Sequence, residues 1–131
     1  MDPTVREFLE EIRFAVVATL NADGSPQQTV LWYELQGDSI MVNTARDRVK
    51  DRNLRRDPRM WVCLEDGYRY VTASGRVEIV DDQAVAQADI RNLAIRYHGA
   101  DRGEQMSRDS FQKQHRVTIL LSLDNLTAYG F

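Results

Sequence analysis

The stretch from Thr44 to Arg59, TARDRVKDRNLRRDPR, concentrates positive charge in a chain that is acidic overall. Seven of the seventeen Lys and Arg residues fall within it, although the net charge of the 131-residue chain is −3. The stretch begins where a predicted strand ends and a predicted helix starts. A helix start offers free backbone N–H groups and the positive end of the helix dipole, which together favour phosphate. The stretch therefore indicates a site for an anionic ligand.

Arg48, Lys50 and Asn53 are the residues of this stretch best spaced to hold a phosphate. Lys50 and Asn53 are three apart and share a helix face, and Arg48 precedes them at the helix start. Guanidinium, ammonium and amide groups all donate hydrogen bonds to phosphate oxygens. We expect these groups at a solvent-accessible mouth. The alternative is a solvated helix on which the three aspartates of the stretch pair with its arginines.

No motif in the sequence predicts a nucleophile, an acid–base pair or a metal site in the protein itself. The patterns HExxH, CxxC, GxSxG, the Walker loop and GxGxxG are all missing. His98 is predicted at a helix end and His115 in an exposed loop, so they form no metal set. Cys63 is predicted to be a buried packing thiol. Any demanding chemistry would therefore come from a bound cofactor.

Composition narrows the class of protein. Hydrophobic residues make up 43% and charged residues 28% of the chain, which is typical of one soluble domain, here residues 1–131. No apolar run reaches the roughly 18 residues of a membrane span, and the start MDPTVREF does not resemble a signal peptide. With a single cysteine, we expect a cytoplasmic protein without a membrane partner. A nucleic-acid partner would need a wider basic surface with stacking aromatics, and none is predicted.

Hydrophobic periodicity predicts a mainly β chain with three helices. The helices are DPTVREFLEEIR, with Asp2 as N-cap, the interior of the basic stretch, capped by Asp47 and ending at Asp57, and DDQAVAQADIRNLAIRYHG. A polar loop is predicted for ADRGEQMSRDS. The predicted strands are FAVVATL, QQTVLWYEL, SIMVN, MWVCLED, YRYVTASGRVEIV with a bulge at Gly75, RVTILLSL and LTAYGF. Six or seven strands joined by hairpins favour an antiparallel barrel or a highly curved sheet.

This order of elements resembles the split β-barrel flavin and deazaflavin oxidoreductases, the FMN-binding-like proteins of the pyridoxamine 5′-phosphate oxidase-like superfamily (PPOX class). The segment ATLNADGSPQ is common across that superfamily. The pattern R-x-K-x-x-N-L-R-R-D-P-R, from Arg48 to Arg59, is more specific and resembles the branch that uses coenzyme F-420. The resemblance implies a homodimer with two cofactor sites, each at the subunit interface. It implies no pyridoxal phosphate substrate, because the chain ends at LTAYGF, without the longer segment that grips that group.

The resemblance also implies which residues hold the cofactor. Arg48, Lys50 and Asn53, together with Val49, match the family's positions that bind the phosphate end of the cofactor. Asn43 and Thr44 match the positions that approach its ring and ribityl chain. The strand beside the ring matches Gln28, Thr29 and Val30. The residues that would reach a cofactor from the other subunit are Tyr68 and Tyr70. No catalytic side chain is implied.

The expected function is hydride transfer between coenzyme F-420 and a small organic substrate. Two alternatives remain open: an FMN-dependent oxidase or reductase of the same fold, and a non-catalytic flavin- or deazaflavin-binding protein. Coenzyme F-420 carries a polyglutamate tail, and the remaining arginines of the stretch, Arg46, Arg52, Arg55, Arg56 and Arg59, are expected to face it. Aromatic residues on predicted strands (Trp32, Trp61, Tyr68 and Tyr70) favour the homodimer.

Overall fold

A computed structural model describes residues 1–131. Nine strands form two antiparallel sheets, one of five strands in the order β2-β1-β5-β6-β9 and one of four in the order β3-β4-β8-β7. The strands are β1 Ala15–Leu20, β2 Pro26–Leu31, β3 Glu34–Gln36, β4 Ser39–Ala45, β5 Arg59–Glu65, β6 Tyr70–Arg76, β7 Glu78–Val80, β8 Arg116–Ser122 and β9 Leu126–Tyr129. The α-helices are α1 Pro3–Glu10, α2 Val49–Arg56, α3 Gln83–His98 and α4 Ala100–Asp109. The predicted fold class, a mainly β split barrel, is confirmed.

The hydrophobic core lies between the two sheets and under the first helix. Asp2 caps α1 by accepting a hydrogen bond from the Thr4 N–H at 2.7 Å, and Pro3 occupies its first turn, as predicted. The apolar face of α1 packs Phe8 and Leu9 into this core. The Tyr33 hydroxyl also lies in it and donates to the Leu9 carbonyl at 2.8 Å, which ties α1 to the barrel.

Two predicted strands each break in two, which gives nine strands instead of seven. QQTVLWYEL breaks at Trp32 and Tyr33, so that β2 joins the five-stranded sheet and β3 the four-stranded one. YRYVTASGRVEIV breaks at Val77, two residues after Gly75, and β6 and β7 likewise join different sheets. Apolar residues continue through both breaks, so the sequence pattern did not reveal where the chain passes between sheets.

The predicted polar loop ADRGEQMSRDS is wrong, because most of it forms α4. Gly99, with φ of +88°, separates α4 from α3, and the α4 residues buried against neighbouring structure are Gly103 and Ser107. A Cβ on Gly103 would lie 2.6 Å from the backbone nitrogen of Ile95 in α3. What stabilises α4 is therefore its close packing against α3, and not an apolar stripe along α4 itself. None of the helices is both long enough and apolar enough to cross a bilayer.

Helix α2 starts one residue later than predicted. Its N-cap is Arg48 and not Asp47, and no side chain caps its first turn. Asp47 instead adopts φ of +70° in the preceding turn, where its N–H donates to the Asp51 carboxylate at 2.8 Å. The helix ends with Asp57 as C-cap, before Pro58, as predicted.

Candidate functional site

A cavity of about 760 Å³ opens beside the start of α2. Its walls come from β2, β4, the first turn of α2, helices α3 and α4, and the start of β8. Its volume is within the range of small-molecule and cofactor sites. The residues that line it are Phe14, Gln27, Thr29, Val30, Leu31, Trp32, Asn43, Thr44, Arg48, Val49, Lys50, Arg52, Ile90, Leu93, Met106, Phe111, Gln114 and Arg116.

One part of the lining carries four cations and no carboxylate: Arg48, Lys50, Arg52 and Arg116. Lys50 is 6% exposed and Arg116 is 4% exposed, yet neither takes part in a salt bridge. Burial, and secondarily the charge of Arg48, lower the pKa of Lys50. The same two causes bring the pKa of Arg116 to about 10, so the Arg116 guanidinium stays charged at neutral pH. Buried charge without a partner is unfavourable. A bound anion would relieve that penalty.

Three other cations of the basic stretch already have carboxylate partners. Arg55 donates to Asp51 at 2.8 Å and to Asp81 at 2.6 Å, and Arg46 lies 3.3 Å from Asp81. Arg59 donates to Asp57 at 2.7 Å. The ion-paired alternative is therefore correct for these three arginines.

Arg56 is also held by the protein. Its guanidinium donates to the Leu20 carbonyl and to Asn53 Oδ1, both at 2.8 Å. Of the cations in the stretch, Arg48, Lys50 and Arg52 have no such partner, and these are the ones that line the cavity.

A second part of the lining is apolar and aromatic. Trp32 stacks on Tyr97 with ring centroids 5.4 Å apart, and Tyr97 stacks on Phe14 at 5.7 Å. Phe111 meets Trp32 edge-on at 6.4 Å. Met106 of α4 also contributes to this wall. Such a wall suits a flat conjugated ring.

Among the uncharged polar residues of the lining are Thr29 on β2 and Asn43 on β4. Asn43 is buried and donates to the Ala86 carbonyl at 3.0 Å and to Thr118 Oγ1 at 3.2 Å. The Thr29 hydroxyl is buried and has no hydrogen-bond partner in the chain. An unsatisfied hydroxyl on a cavity wall is costly unless a ligand pairs with it. A ring with polar edge atoms, such as a flavin or a deazaflavin, fits this requirement.

The structure brings most of the predicted site residues together in this cavity: Thr29, Val30, Asn43, Thr44, Arg48, Val49 and Lys50. It places Lys50 deeper than expected, since the side chain is buried and does not lie at a solvent-accessible mouth.

The remaining predicted residues lie elsewhere in the chain. Asn53 donates to Thr19 Oγ1 at 3.1 Å and to Asn21 Oδ1 at 3.0 Å, which occupies its amide hydrogens and fastens α2 to β1. Gln28 lies on the outer face of the five-stranded sheet, in a shallow depression with Trp61 and Cys63.

Tyr68 and Tyr70 are also outside the cavity. Tyr68 is 96% exposed in the turn before β6, and Tyr70 stacks on Tyr129 at 4.5 Å. Their contribution to the cofactor site of a second subunit remains a prediction.

Sequence reasoning missed Arg116, Gln114 and the aromatic wall. Arg116 begins β8, where it pairs with Ala45 at the end of β4, so register and not sequence spacing brings it to the cavity. Met106 belongs to α4, which was predicted to be a loop. One signal was present: β8 reads as an almost continuous apolar run, typical of a strand covered on both faces, and an arginine entering such a strand is buried with it.

Comparison with known proteins gives the family. Residues 1–123 match the model of the pyridoxamine 5′-phosphate oxidase family. The chain therefore belongs to this family.

Solved structures share the fold. The conserved hypothetical protein Rv2991 from Mycobacterium tuberculosis is 28% identical with a TM-score of 0.83, over 98% of this chain and 84% of that one. A protein described as an F420 reductase is 26% identical with a TM-score of 0.74, over 93% and 94% of the two chains. HutZ, a haem storage protein from Vibrio cholerae, is 18% identical with a TM-score of 0.74, over 99% and 95%, and shares the fold alone.

Proposed function

We propose that this protein binds a flavin-type cofactor, with coenzyme F-420 preferred over FMN, and transfers a hydride between it and a small organic substrate. The observation that supports this most strongly is the pair of buried cations without a carboxylate partner, Lys50 and Arg116, in a cavity that is also lined by aromatic side chains. A ligand that fits has an anionic arm and a planar ring. The similarity to the F420 reductase supports the choice of coenzyme.

The side chains would divide the work as follows. Lys50 and Arg48, with the uncapped first turn of α2, bind the anionic arm. Thr29 pairs with the edge of the ring, and Trp32 shields it from water. The bound cofactor supplies the hydride chemistry. This chain binds and orients it, since no carboxylate, imidazole or thiol lines the cavity.

FMN remains the second candidate because of the ion pairs described above. With Arg46, Arg55 and Arg59 paired to aspartates, two exposed and unpaired cations, Arg48 and Arg52, are left to meet a polyglutamate tail. A single phosphate would be satisfied by Lys50 and Arg116 alone.

The outer face of the five-stranded sheet supports a homodimer with the cofactor sites at its interface. One row in register across all five strands has no charge: Val30, Val16, Cys63, Thr72 and Thr127. Trp61 and Val16 are well exposed on this face, and Cys63, predicted to be buried, is only partly so in the single chain. A second copy would cover them. Sedimentation at micromolar concentration tests this, and a monomer would contradict it.

The cofactor assignment is tested by titrating the purified protein with coenzyme F-420, FMN and riboflavin at low and high salt. We expect the order F-420, FMN, riboflavin from tightest to weakest. The affinity for F-420 should fall as salt rises, because Arg48 and Arg52 are exposed and screened. Tighter binding of FMN would favour the FMN-dependent alternative. Binding without turnover across a screen of substrates with the reduced coenzyme would favour a non-catalytic binding protein.

A further inference from the structure

We propose that Arg116 is a contact for the anionic group of the ligand, and that Asp89 positions it through Thr118 and Asn43. This rests on the proposed function in one respect only, namely that the ligand of the cavity carries an anion. Arg116 begins β8 and Asp89 lies in α3, outside the basic stretch.

Arg116 is held on three sides by neutral groups. Its Nε donates to Asn43 Oδ1 at 2.9 Å, and one terminal nitrogen donates to Gln114 Oε1 at 2.6 Å. The Phe111 ring lies 5.1 Å from the guanidinium carbon. These partners fix the side chain without neutralising it. A carboxylate in place of either amide would hold it as well but would cancel its charge.

A chain of hydrogen bonds runs from this guanidinium to a buried carboxylate. Asn43 and Thr118 face each other on β4 and β8, and Asn43 Nδ2 donates to Thr118 Oγ1 at 3.2 Å. The Thr118 hydroxyl then donates to Asp89 Oδ2 at 2.7 Å. Asp89 is 8% exposed, forms no salt bridge, and is itself fixed by Gln36 at 3.0 Å.

The direction of the chain is determined by the backbone. Asn43 Nδ2 also donates to the Ala86 carbonyl, which can only accept, so Asn43 Oδ1 must face Arg116. Every donor in the chain consequently points towards Asp89. Hydrogen bonds aligned in one direction polarise one another, so the Asp89 carboxylate stabilises the positive charge of Arg116 without touching it. Asp89 thus orients Arg116 and leaves its charge available to a ligand.

Inorganic pyrophosphate is the probe for Arg116, with its dissociation constant measured by calorimetry on the full chain. We expect Arg116→Gln to weaken binding by about 10- to 100-fold, the range of a lost charge-assisted contact, and Arg116→Lys to restore part of it. Arg76→Gln removes the same charge on an exposed residue and should change little. Equal affinities for Arg116→Gln and Arg76→Gln would overturn the role of Arg116.

Asn43→Asp tests whether the neutrality of the clamp matters. This near-isosteric change puts a carboxylate on Arg116 Nε, and we expect pyrophosphate affinity to fall about tenfold or more. Asn125→Asp makes the same charge change at an exposed residue whose partner is Ser74. If both variants bind pyrophosphate equally, neutrality of the clamp is irrelevant and the proposal is wrong.

The positioning role of Asp89 is tested by the sign of an effect. Removing a negative charge should by itself strengthen anion binding, whereas loss of positioning should weaken it. We expect Asp89→Ala and Thr118→Val each to weaken pyrophosphate binding by about 3- to 10-fold, and Thr118→Ser, which keeps the hydroxyl, to restore it. The double variant should be no weaker than either single one. Stronger binding by Asp89→Ala, or additive losses, would refute the relay.

Comparing FMN with riboflavin separates this proposal from the proposed function. If the wild type prefers FMN and Arg116→Gln keeps the same preference, the role of Arg116 fails while the function stands. If Arg116→Gln loses pyrophosphate but no flavin or deazaflavin binds to the wild type, the function fails while Arg116 stands. A wild type that binds neither pyrophosphate nor FMN contradicts both.

Discussion

Lys50 and Asp51 are neighbours in the chain, both more than nine-tenths buried, and in opposite electrostatic situations. Asp51 accepts hydrogen bonds from Arg55 and from the Asp47 N–H, so its negative charge is paired within the protein. Lys50 has no hydrogen-bond partner in the chain and faces a cavity that holds other cations. The first belongs to a structural ion network and the second to the lining of the proposed binding site.

The comparison shows how one basic stretch serves two purposes. Consecutive helix residues point about 100° apart, so α2 turns one face towards Asp81 and another towards the cavity. The carboxylates lie on the first side only: Asp51 belongs to α2 and Asp81 to the segment that this face contacts, whereas no carboxylate lines the cavity. Substitutions on the two faces should therefore act on different properties: stability on one and ligand affinity on the other.

The largest effect on stability should come from Asp51→Ala. It leaves Arg46 and Arg55 short of a partner and frees the Asp47 N–H in a turn with positive φ. Because Asp51 is buried but Arg55 is partly exposed, we expect a loss of about 2–3 kcal/mol in the free energy of unfolding. Urea denaturation measures it, with Asp57→Ala as the control at an exposed pair. A loss no greater than that of the control would mean that the network is not structural.

Lys50→Met should lower affinity for the cofactor without lowering stability, the reverse of what is expected for Asp51→Ala. Affinity for the cofactor should fall by about 1.5–3 kcal/mol, the value of a charge-assisted contact. The free energy of unfolding should rise by about 1 kcal/mol, because a buried unpaired charge is replaced by an apolar chain of similar length. Titration with cofactor and urea denaturation of the same preparation test both. Unchanged affinity would remove Lys50 from the site, and a clear loss of stability would show that it is paired.

The contrast between these neighbours also marks what sequence could predict. The succession of strands along the chain, the capped α1, the end of α2 at Asp57 and the cavity-lining pair Arg48 and Lys50 follow from local patterns and from family resemblance. Asn53 has the right spacing for a phosphate, yet Thr19 and Asn21 of another segment occupy its amide. Arg116 has no local signal, because its place depends on strand register. Local chemistry identified the donors, and only tertiary contacts showed which are free.

The pH dependence sharpens the assignment of Lys50. Burial, then the charge of Arg48, lower its pKa below 10.5 in the free protein, whereas a bound anion would raise it. Cofactor affinity should thus be highest near neutral pH and fall as the pH rises through the lowered pKa. Folding responds in the other direction: the unfolded chain holds this proton more tightly, so the contribution of Lys50 to stability improves as the pH rises through the same value.

Parallel FMN titrations of wild type and Lys50→Met, from about pH 7 to about pH 10, isolate this effect. The difference in pH dependence between the two proteins reports the titration of Lys50. The pH dependence that remains in the variant reports Arg116 and the ligand itself. Curves that stay parallel over the whole range would mean that Lys50 does not titrate against the bound anion.

The smallest effect should come from Arg59→Gln, and it is the sharpest check on the division between the faces. Arg59 donates to Asp57 and is half exposed, so solvent screens the pair, and its loss should leave the urea denaturation midpoint almost unchanged. Arg59 is not among the residues that line the cavity, so the affinity of the variant for FMN should stay within about twofold of wild type. Coenzyme F-420 makes the test stricter, because its polyglutamate tail could exchange places with Asp57. If Arg59→Gln weakens F-420 binding while leaving FMN binding unchanged, the tail reaches the paired arginines, and the division holds only for the unliganded protein.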